Sequence, residues 1–337
     1  MRKTLTALVL AMLLTAALAA GGAAWWLQRP LPLAPGLSVA ELAIEPGTAP
    51  KAVAQAAVDA GVASSAQALA LWFRLSGQDR QIRAGSYEIP AGTTPRRLLA
   101  MLVRGEESLR SLTVVEGWNW RQLRQALARA EQLRNDSAGL SDAQVMAQLG
   151  RPGLPPEGRF YPDTYSYAKG SSDLKLLARA LKAMDKQLAK AWAARANGVA
   201  LQNPEQALVL ASIVEKETGK PSDRSMIASV FHNRLRIGMP LQTDPTVIYG
   251  LGEAFDGNLK RSHLRTDTPW NTYTRAGLPP TPIAMPGKAA LMAAVQPASS
   301  RALYFVAKGD GSSQFSETLE AHNRAVNRYQ RGLAVAD

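Results

Sequence analysis

Two carboxylates close one apolar run. In ALVLASIVEKETGK, residues 207–220, Glu215 and Glu217 end a stretch that otherwise has the composition of a core helix. At helical spacing Glu217 follows Val214, Ile213 and Leu210 by three, four and seven residues, and so shares their apolar face. Glu215 looks back on Ser212, Ala211 and Leu208, a smaller and more mixed surface. An apolar surround disfavours a carboxylate, and so does the negative end of a helix. Both effects raise the proton affinity of Glu217, and a carboxyl group still protonated near neutral pH is what general acid catalysis requires. Glu217 is therefore the catalytic candidate and Glu215 the secondary one. Periodicity alone also allows two solvated glutamates beside Lys216 with no chemical role.

The later turns are rich in groups suited to a sugar. LQTDPT, DTPWNTYT and LPPTPI supply Gln242, Thr243, Asp244, Asn271, Thr272 and Tyr273, with Trp270 among them. Amides and hydroxyls bond the edge of a sugar, and an aromatic ring gives its face a platform; clefts of this kind are commonly built on turns over a rigid element. Plainer alternatives stand beside this one. Asp244, before Pro245, also suits a helix cap, and Asn271 and Tyr273 suit a satisfied turn and a packed ring.

Other chemistries are excluded or disfavoured. There is no cysteine, so thiolate nucleophiles, disulfides and zinc ribbons are out. The three histidines, His232, His263 and His322, are far apart and form no HExxH pair, so no metal or other cofactor is expected. GDGSS at 309–313 reads as a hairpin turn and lacks the lysine of a phosphate loop.

The elements that must position these groups can be read outward from the glutamates. Asn203, Pro204 and Gln206 make a helix start, and Gly219 can take the left-handed conformation that ends one. Ser222 caps a following helix with Met226, Ile227, Val230, Phe231, Arg234 and Leu235 on one side, closed by Gly238. Upstream, LAIEPGTAPKAVAQAAVDAG, YEIPAGTTPRRLLAMLVRG and LTVVEGWNWRQLRQALARA each run from a short strand through a glycine turn, at Gly47, Gly92 or Gly117, into an amphipathic helix. The first copy continues through a second helix to AGSYEI, a strand–helix–helix–strand module over about residues 37–89. Prolines at 152, 155, 156 and 162 break any helix before Tyr167; Ser172 caps another running to about Ala196, and a last helix covers about 317–331.

From Thr4 to Leu27 the chain carries no charge, follows Arg2 and Lys3, and closes with Trp25 and Trp26. That is long enough to span a bilayer with aromatic residues at one interface, and the basic start keeps the N-terminus inside. AALAAGG also offers small residues for signal cleavage, but a signal core is shorter than this run. The expected organisation is a cytoplasmic start and transmembrane anchor at 1–27, a proline-rich linker at 28–36, a small module at 37–105 and a larger domain at 106–337. The fold class is α+β. Lys and Arg number 39 against 27 Asp and Glu, a formal charge of +12, which favours an anionic partner or surface. Export of everything after Leu27 demotes nucleic acid.

ASIVEKETGKPSDRSMIASVFHNRLRIGMPLQTDPTVIYGLG, with EGRFYPDTY before it and NTYTRAGLPPTPI after it, closely resembles the MltG (YceG-like) family of endolytic murein transglycosylases. The resemblance implies a single-pass protein of the bacterial inner membrane with a LysM-like βααβ module and a mixed α+β catalytic domain in the periplasm, its glycan-binding cleft cutting nascent peptidoglycan strands internally. It places the essential glutamate of the EKET motif at Glu217. It marks Glu157, Asp163, Tyr165, Gln242, Thr243 and Asp244 as substrate-binding candidates, beside Asn271 and Tyr273 from the turns. Implied partners are glycan strands, the inner membrane and peptidoglycan synthases. One departure is Met285, in IAMPG, where the family usually has Asn. A hydrolytic muramidase and a non-catalytic peptidoglycan binder are the competing functions.

Overall fold

A computed structural model describes residues 2–332, with side chains from Leu10 onward; Met1, residues 333–337 and the side chains of Arg2 and Lys3 lie outside the described part. The chain divides into two compact units, one of residues up to Arg110 with Tyr167–Gly170, the other of Ser111–Ser166 with the residues from Ser171 on.

The first unit opens with α1 (Arg2–Gln28), whose Leu10–Gln28 segment is apolar and long enough to cross a membrane. Then follow β1 (Val39–Ile44), α2 (Pro50–Asp59), α3 (Ala66–Leu75), β2 (Gly85–Pro90) and α4 (Pro95–Arg104). β1 and β2 pair antiparallel from Val39 opposite Pro90 to Ile44 opposite Gly85, so the expected βααβ order is present. Their inward residues Leu42, Ile44, Tyr87 and Ile89 meet Val53, Leu69, Phe73, Leu98 and Leu102 in one core. The proline-rich stretch expected as a linker is part of this unit. Leu31 is 4% exposed and its N–H donates to Thr93 O at 2.8 Å, while Ala34 N–H reaches Gly61 O at 2.8 Å. Pro30 and Pro32 lack donors, but Leu31 between them and Ala34 just beyond bond as an edge strand does.

Strand β3 (Leu109–Thr113) pairs with β4 (Thr164–Ala168). The second unit holds α5 (Trp120–Arg129), α6 (Asp142–Gln148), α7 (Asp173–Ala193), α8 (Pro204–Glu217), α9 (Arg224–Arg236), α10 (Asp244–Leu251), α11 (Arg261–Arg265) and α12 (Lys288–Val295). The hairpin β5 (Tyr304–Ala307) and β6 (Ser313–Ser316), turning through the GDGSS stretch, precedes α13 (Leu319–Gln330). The three glycines read as strand-to-helix turns have φ of +85° at Gly47, +91° at Gly92 and +78° at Gly117, a region where a side chain is strained.

α8 is the axis of this unit. Every residue from Ala207 to Val214 is at most 7% exposed, and α7, α9, α10 and α12 all pack against the helix. A helix apolar on every side belongs inside a core. Asn203 Oδ1 accepts from Gln206 N–H at 2.9 Å, as its cap position requires. The other end differs from expectation: Thr218, in extended conformation at φ −148° and ψ 134°, terminates the helix, and Gly219 is not left-handed. The extended exit keeps the last carboxylate at the helix end and sends the chain directly into Pro221–Asp223, a short 3-10 turn leading to α9.

Candidate active site

α8 is 14 residues and about 21 Å long, and its buried stretch from Ala207 to Val214 holds the last turn in place. Glu217 sits there, half-buried. Burial pushes its carboxyl group up to about 7, helped by the neighbouring Asp244 charge and opposed by a hydrogen bond from Thr243 and by the Arg234 cation. At neutral pH the group is thus divided between acid and carboxylate.

The partner of Glu217 is Thr243, whose hydroxyl donates to Oε1. Thr243 is held in turn by two more threonines. Its N–H donates to Thr272 Oγ1 at 3.1 Å, and its carbonyl accepts from Thr246 Oγ1 at 2.7 Å. Thr246 and Thr272 hydroxyls lie 2.9 Å apart, and because the Thr246 proton is already committed to a carbonyl, the Thr272 hydroxyl is the donor between them. All three threonines are at most 2% exposed. Each hydroxyl has one proton and one place for it, so the donor facing Glu217 cannot rotate away.

The residue before Thr243 carries strain. Gln242 has φ +48°, one of two non-glycine residues with positive φ among the described residues. A left-handed non-glycine residue costs roughly 1–2 kcal/mol and persists only where its surroundings enforce it. Here Gln242 N–H is tied to Thr272 O at 3.0 Å, and Arg234 holds the preceding residues by donating Nη1 to Leu241 O at 2.7 Å and Pro240 O at 3.4 Å. The outcome is alternation: Gln242 and Asp244 are exposed, and Thr243 between them is buried against the acid.

Around this centre, Tyr273 OH donates to Asp244 Oδ1 at 2.5 Å, and burial together with that bond raises the phenol above its ordinary range, so it remains a neutral donor. Asn271 is fully buried. Its amide nitrogen donates to the carbonyls of His263, Leu264 and Thr266, and its Oδ1 accepts from Tyr273 N–H at 2.8 Å. That amide sets the turn that carries Thr272 and Tyr273. Arg234, 6% exposed, also donates Nε to Leu303 O at 2.7 Å. Neither Thr246 nor Arg234 was marked by sequence as a site residue. The available signal for Arg234 was a lone cation among the apolar residues of α9.

The structure thus gathers Glu217, Gln242, Thr243, Asp244, Asn271 and Tyr273. Glu215 faces elsewhere. Its side chain is 7% exposed, its Oε2 accepts from Gly287 N–H at 2.8 Å at the start of α12, and its Oε1 lies 3.9 Å from Arg224. Burial, offset in part by the Gly287 bond, raises its proton affinity. Glu157 is 5% exposed and accepts from Trp120 N–H through both oxygens at 3.1 Å, at the start of α5, and from Gly158 N–H at 3.2 Å; burial pushes it up to about 7. Tyr165 OH donates to Tyr161 O at 2.7 Å in a buried position, and exposed Asp163 accepts from Thr164 N–H at 2.7 Å. None of these four bonds the Glu217 group directly. Met285 is fully buried, paired with Trp118 O and Gly117 N–H through its backbone, so the residue standing at that position is a core side chain.

The family model of the YceG-like family matches residues 42–328, a span that takes in the whole of this arrangement. The chain belongs to the YceG-like family. It is 31% identical over 305 residues to the endolytic murein transglycosylase of Bacillus subtilis (strain 168), covering 85% of this chain and 83% of that one. The endolytic murein transglycosylase of Streptococcus pneumoniae serotype 2 is 29% identical over 278 residues, 73% of this chain and 50% of that protein. The crystal structure of a yceG-like protein from Listeria monocytogenes aligns with a TM-score of 0.53 at 28% identity, over 85% of this chain and 98% of that one.

Proposed function

We propose that this YceG-like protein is an endolytic lytic transglycosylase of peptidoglycan, with Glu217 as its single acid and base. The observation that carries the assignment is the carboxyl group held near a pKa of about 7 at the end of a buried helix, one oxygen occupied by a fixed hydroxyl donor. Similarity over most of the chain to a protein named endolytic murein transglycosylase supports the reaction class.

With Thr243 on Oε1, the acidic proton resides on Oε2. That proton passes to the oxygen of the MurNAc–GlcNAc bond as the bond to the muramic C1 breaks, and positive charge develops on C1 and the ring oxygen. The carboxylate then takes the proton of the 6-hydroxyl of the same muramic acid, whose oxygen bonds to C1. The products are a free GlcNAc end and a 1,6-anhydromuramyl end; no water is consumed, and Glu217 recovers its proton. One carboxyl serves in both steps, whereas hydrolytic glycosidases use two. Thr243 favours the carboxylate that appears midway, and in this reading Tyr273 and the exposed Gln242 bond the sugar.

In this reading α1 anchors the chain in the inner membrane, the βααβ module is a LysM-like glycan-binding unit, and the second unit works in the periplasm on strands leaving peptidoglycan synthases. A hydrolytic muramidase is the second reading, favoured by the closeness of the Asp244 carboxylate to Glu217, since a hydrolase needs a second carboxylate for water. Mass spectrometry of products from a long uncrosslinked glycan separates the two. Anhydro ends support the transglycosylase; reducing ends support the muramidase. Glu217→Gln is expected to lower the rate by about 100-fold or more, and a near wild-type yield of anhydro products from that variant would remove Glu217 from its role.

A further inference from the structure

The first unit has no slack between its helical anchor and its body. Trp26 packs against the unit's core, Leu31 enters that core three residues beyond Gln28, and Leu31 N–H is bonded to Thr93 O. Three residues span about 10 Å at most. Thr93 immediately precedes Thr94, the capping residue of α4, and α1 itself packs on α4. If α1 crosses a bilayer, the start of α4 must lie at the bilayer surface.

That end of α4 is built against the usual rule for helices. Its first turn carries Arg96 and Arg97 and no acidic residue, although cations there oppose the helix dipole. Arg97 is answered by Glu106, with bonds of 3.0 and 2.6 Å. Arg96 is exposed and has no bonded partner among the described residues. It borders a groove of about 500 Å³ between α3 and α4, with Trp72, Gln78, Leu99 and Val103 on its other walls. At 100° per residue, Leu75 follows Trp72 around α3, and Leu71 follows Leu75. These two leucines are 74% and 57% exposed, with Arg74 beside them. Exposed leucines, a tryptophan and the unpaired Arg96, at the foot of an apolar helix, make the pattern of a surface that lies in a lipid headgroup layer.

We propose that the α3–α4 face of the first unit rests on the membrane that α1 crosses, with Leu71 and Leu75 in the headgroup layer and Arg96 paired with lipid phosphate. This rests on the anchor reading of α1. Its occupant is lipid because the anchor cannot release this face from the interface. The consequence is a module held flat on the bilayer, at a fixed height and orientation.

The absence of native cysteine makes the test clean. Spin labels are placed singly at Ala11→Cys in α1, Leu75→Cys in α3 and Lys51→Cys in α2, in the full-length protein in nanodiscs of phosphatidylglycerol and phosphatidylcholine, one copy per disc. Collision rates with oxygen and with a water-soluble nickel chelate give depth. The Ala11 label is expected deep in the hydrocarbon, the Leu75 label at headgroup depth and the Lys51 label in water. A deep Ala11 label with Leu75 as water-accessible as Lys51 overturns the docking and leaves the anchor standing; an Ala11 label in water overturns the anchor and the docking together. Spin–spin broadening at Leu75 in discs holding two copies, absent at one copy, with Leu75 wet at one copy, identifies a second chain as the occupant and also overturns it. Arg96→Glu is expected to move the Leu75 label toward water, with a rise of at least twofold in nickel collision rate; an unchanged depth removes the phosphate contact.

Discussion

Thr243 donates its hydroxyl hydrogen to Glu217 Oε1, and three buried threonines fix the direction of that donation. A hydrogen bond to the carboxylate lowers the proton affinity that burial raises, so Thr243 tempers the acid as well as aiming it. Thr243→Val keeps the shape and removes the donor. Turnover is expected to fall about 10-fold to 100-fold, the worth of one hydrogen bond to a charged group, and the alkaline limb of the pH–rate profile to move to higher pH, because without the bond Glu217 holds its proton longer. A lower rate with an unmoved limb would mean that Thr243 only packs.

Gln242 separates a backbone role from a side-chain role. Its φ of +48° suits glycine. Gln242→Gly should therefore melt at or slightly above the wild-type temperature, by up to about 1 kcal/mol of stability, whereas Gln242→Val should melt lower. If the amide bonds glycan, KM rises in both; a KM unchanged in Gln242→Gly assigns the residue to the turn alone. Thermal melts and steady-state kinetics on the same samples decide it.

Glu215 is expected to act through position. Its carboxylate joins the end of α8 to the start of α12 by way of Gly287 N–H. Glu215→Ala leaves that buried donor unpaired, at a cost of about 1–3 kcal/mol, and is expected to lower the melting temperature and kcat together without shifting the pH–rate profile. Glu215→Gln, which keeps an acceptor oxygen, should recover most of both. A shifted pH profile in either variant would mark Glu215 as a proton carrier instead.

Glu157 and Glu217 both bind protons more tightly in the folded chain than their ordinary value of 4.5, each near 7. Between those values the folded state holds more protons than the unfolded state, so stability falls as pH rises from about 4.5 to about 7 and levels off above. Glu157, buried against α5, contributes at most about 3 kcal/mol to that fall. Glu157→Gln should flatten melting temperature against pH across this window, and adding Glu217→Gln should flatten it further. An equally steep curve in the double variant would mean that neither group is responsible.

Much of the scaffold was legible because its causes are local. The glycine turns at 47, 92 and 117 require left-handed φ, the Asn203 cap bonds a residue three positions on, and the apolar length of α1 and α8 is a property of composition. The raised proton affinity of Glu217 was also legible, since a carboxylate ending an apolar helix announces its own desolvation. The face argument that separated Glu217 from Glu215 was only half sufficient. α8 is buried on every side from Ala207 to Val214, and Glu215 and Glu217 beyond it are both partly covered; what distinguishes them is the company each keeps, a threonine hydroxyl for Glu217 and a helix-start amide for Glu215.

That company is what tertiary structure alone decided. Thr243 lies 26 residues from Glu217, Thr272 lies 29 from Thr243, and Gly287 lies 72 from Glu215. Hydrogen bonds over such separations depend on how α8, α10 and the turns after them pack, which no local propensity encodes. The same holds for Leu31, where a stretch whose prolines read as a linker is drawn into the first unit by backbone bonds at Leu31 and Ala34 and by a buried leucine. Sequence by itself determined which residue types could do the chemistry and that one of them sat at the end of a core helix. Packing decided which partners met it, because proton affinity and aim depend on groups that only the fold brings within bonding distance.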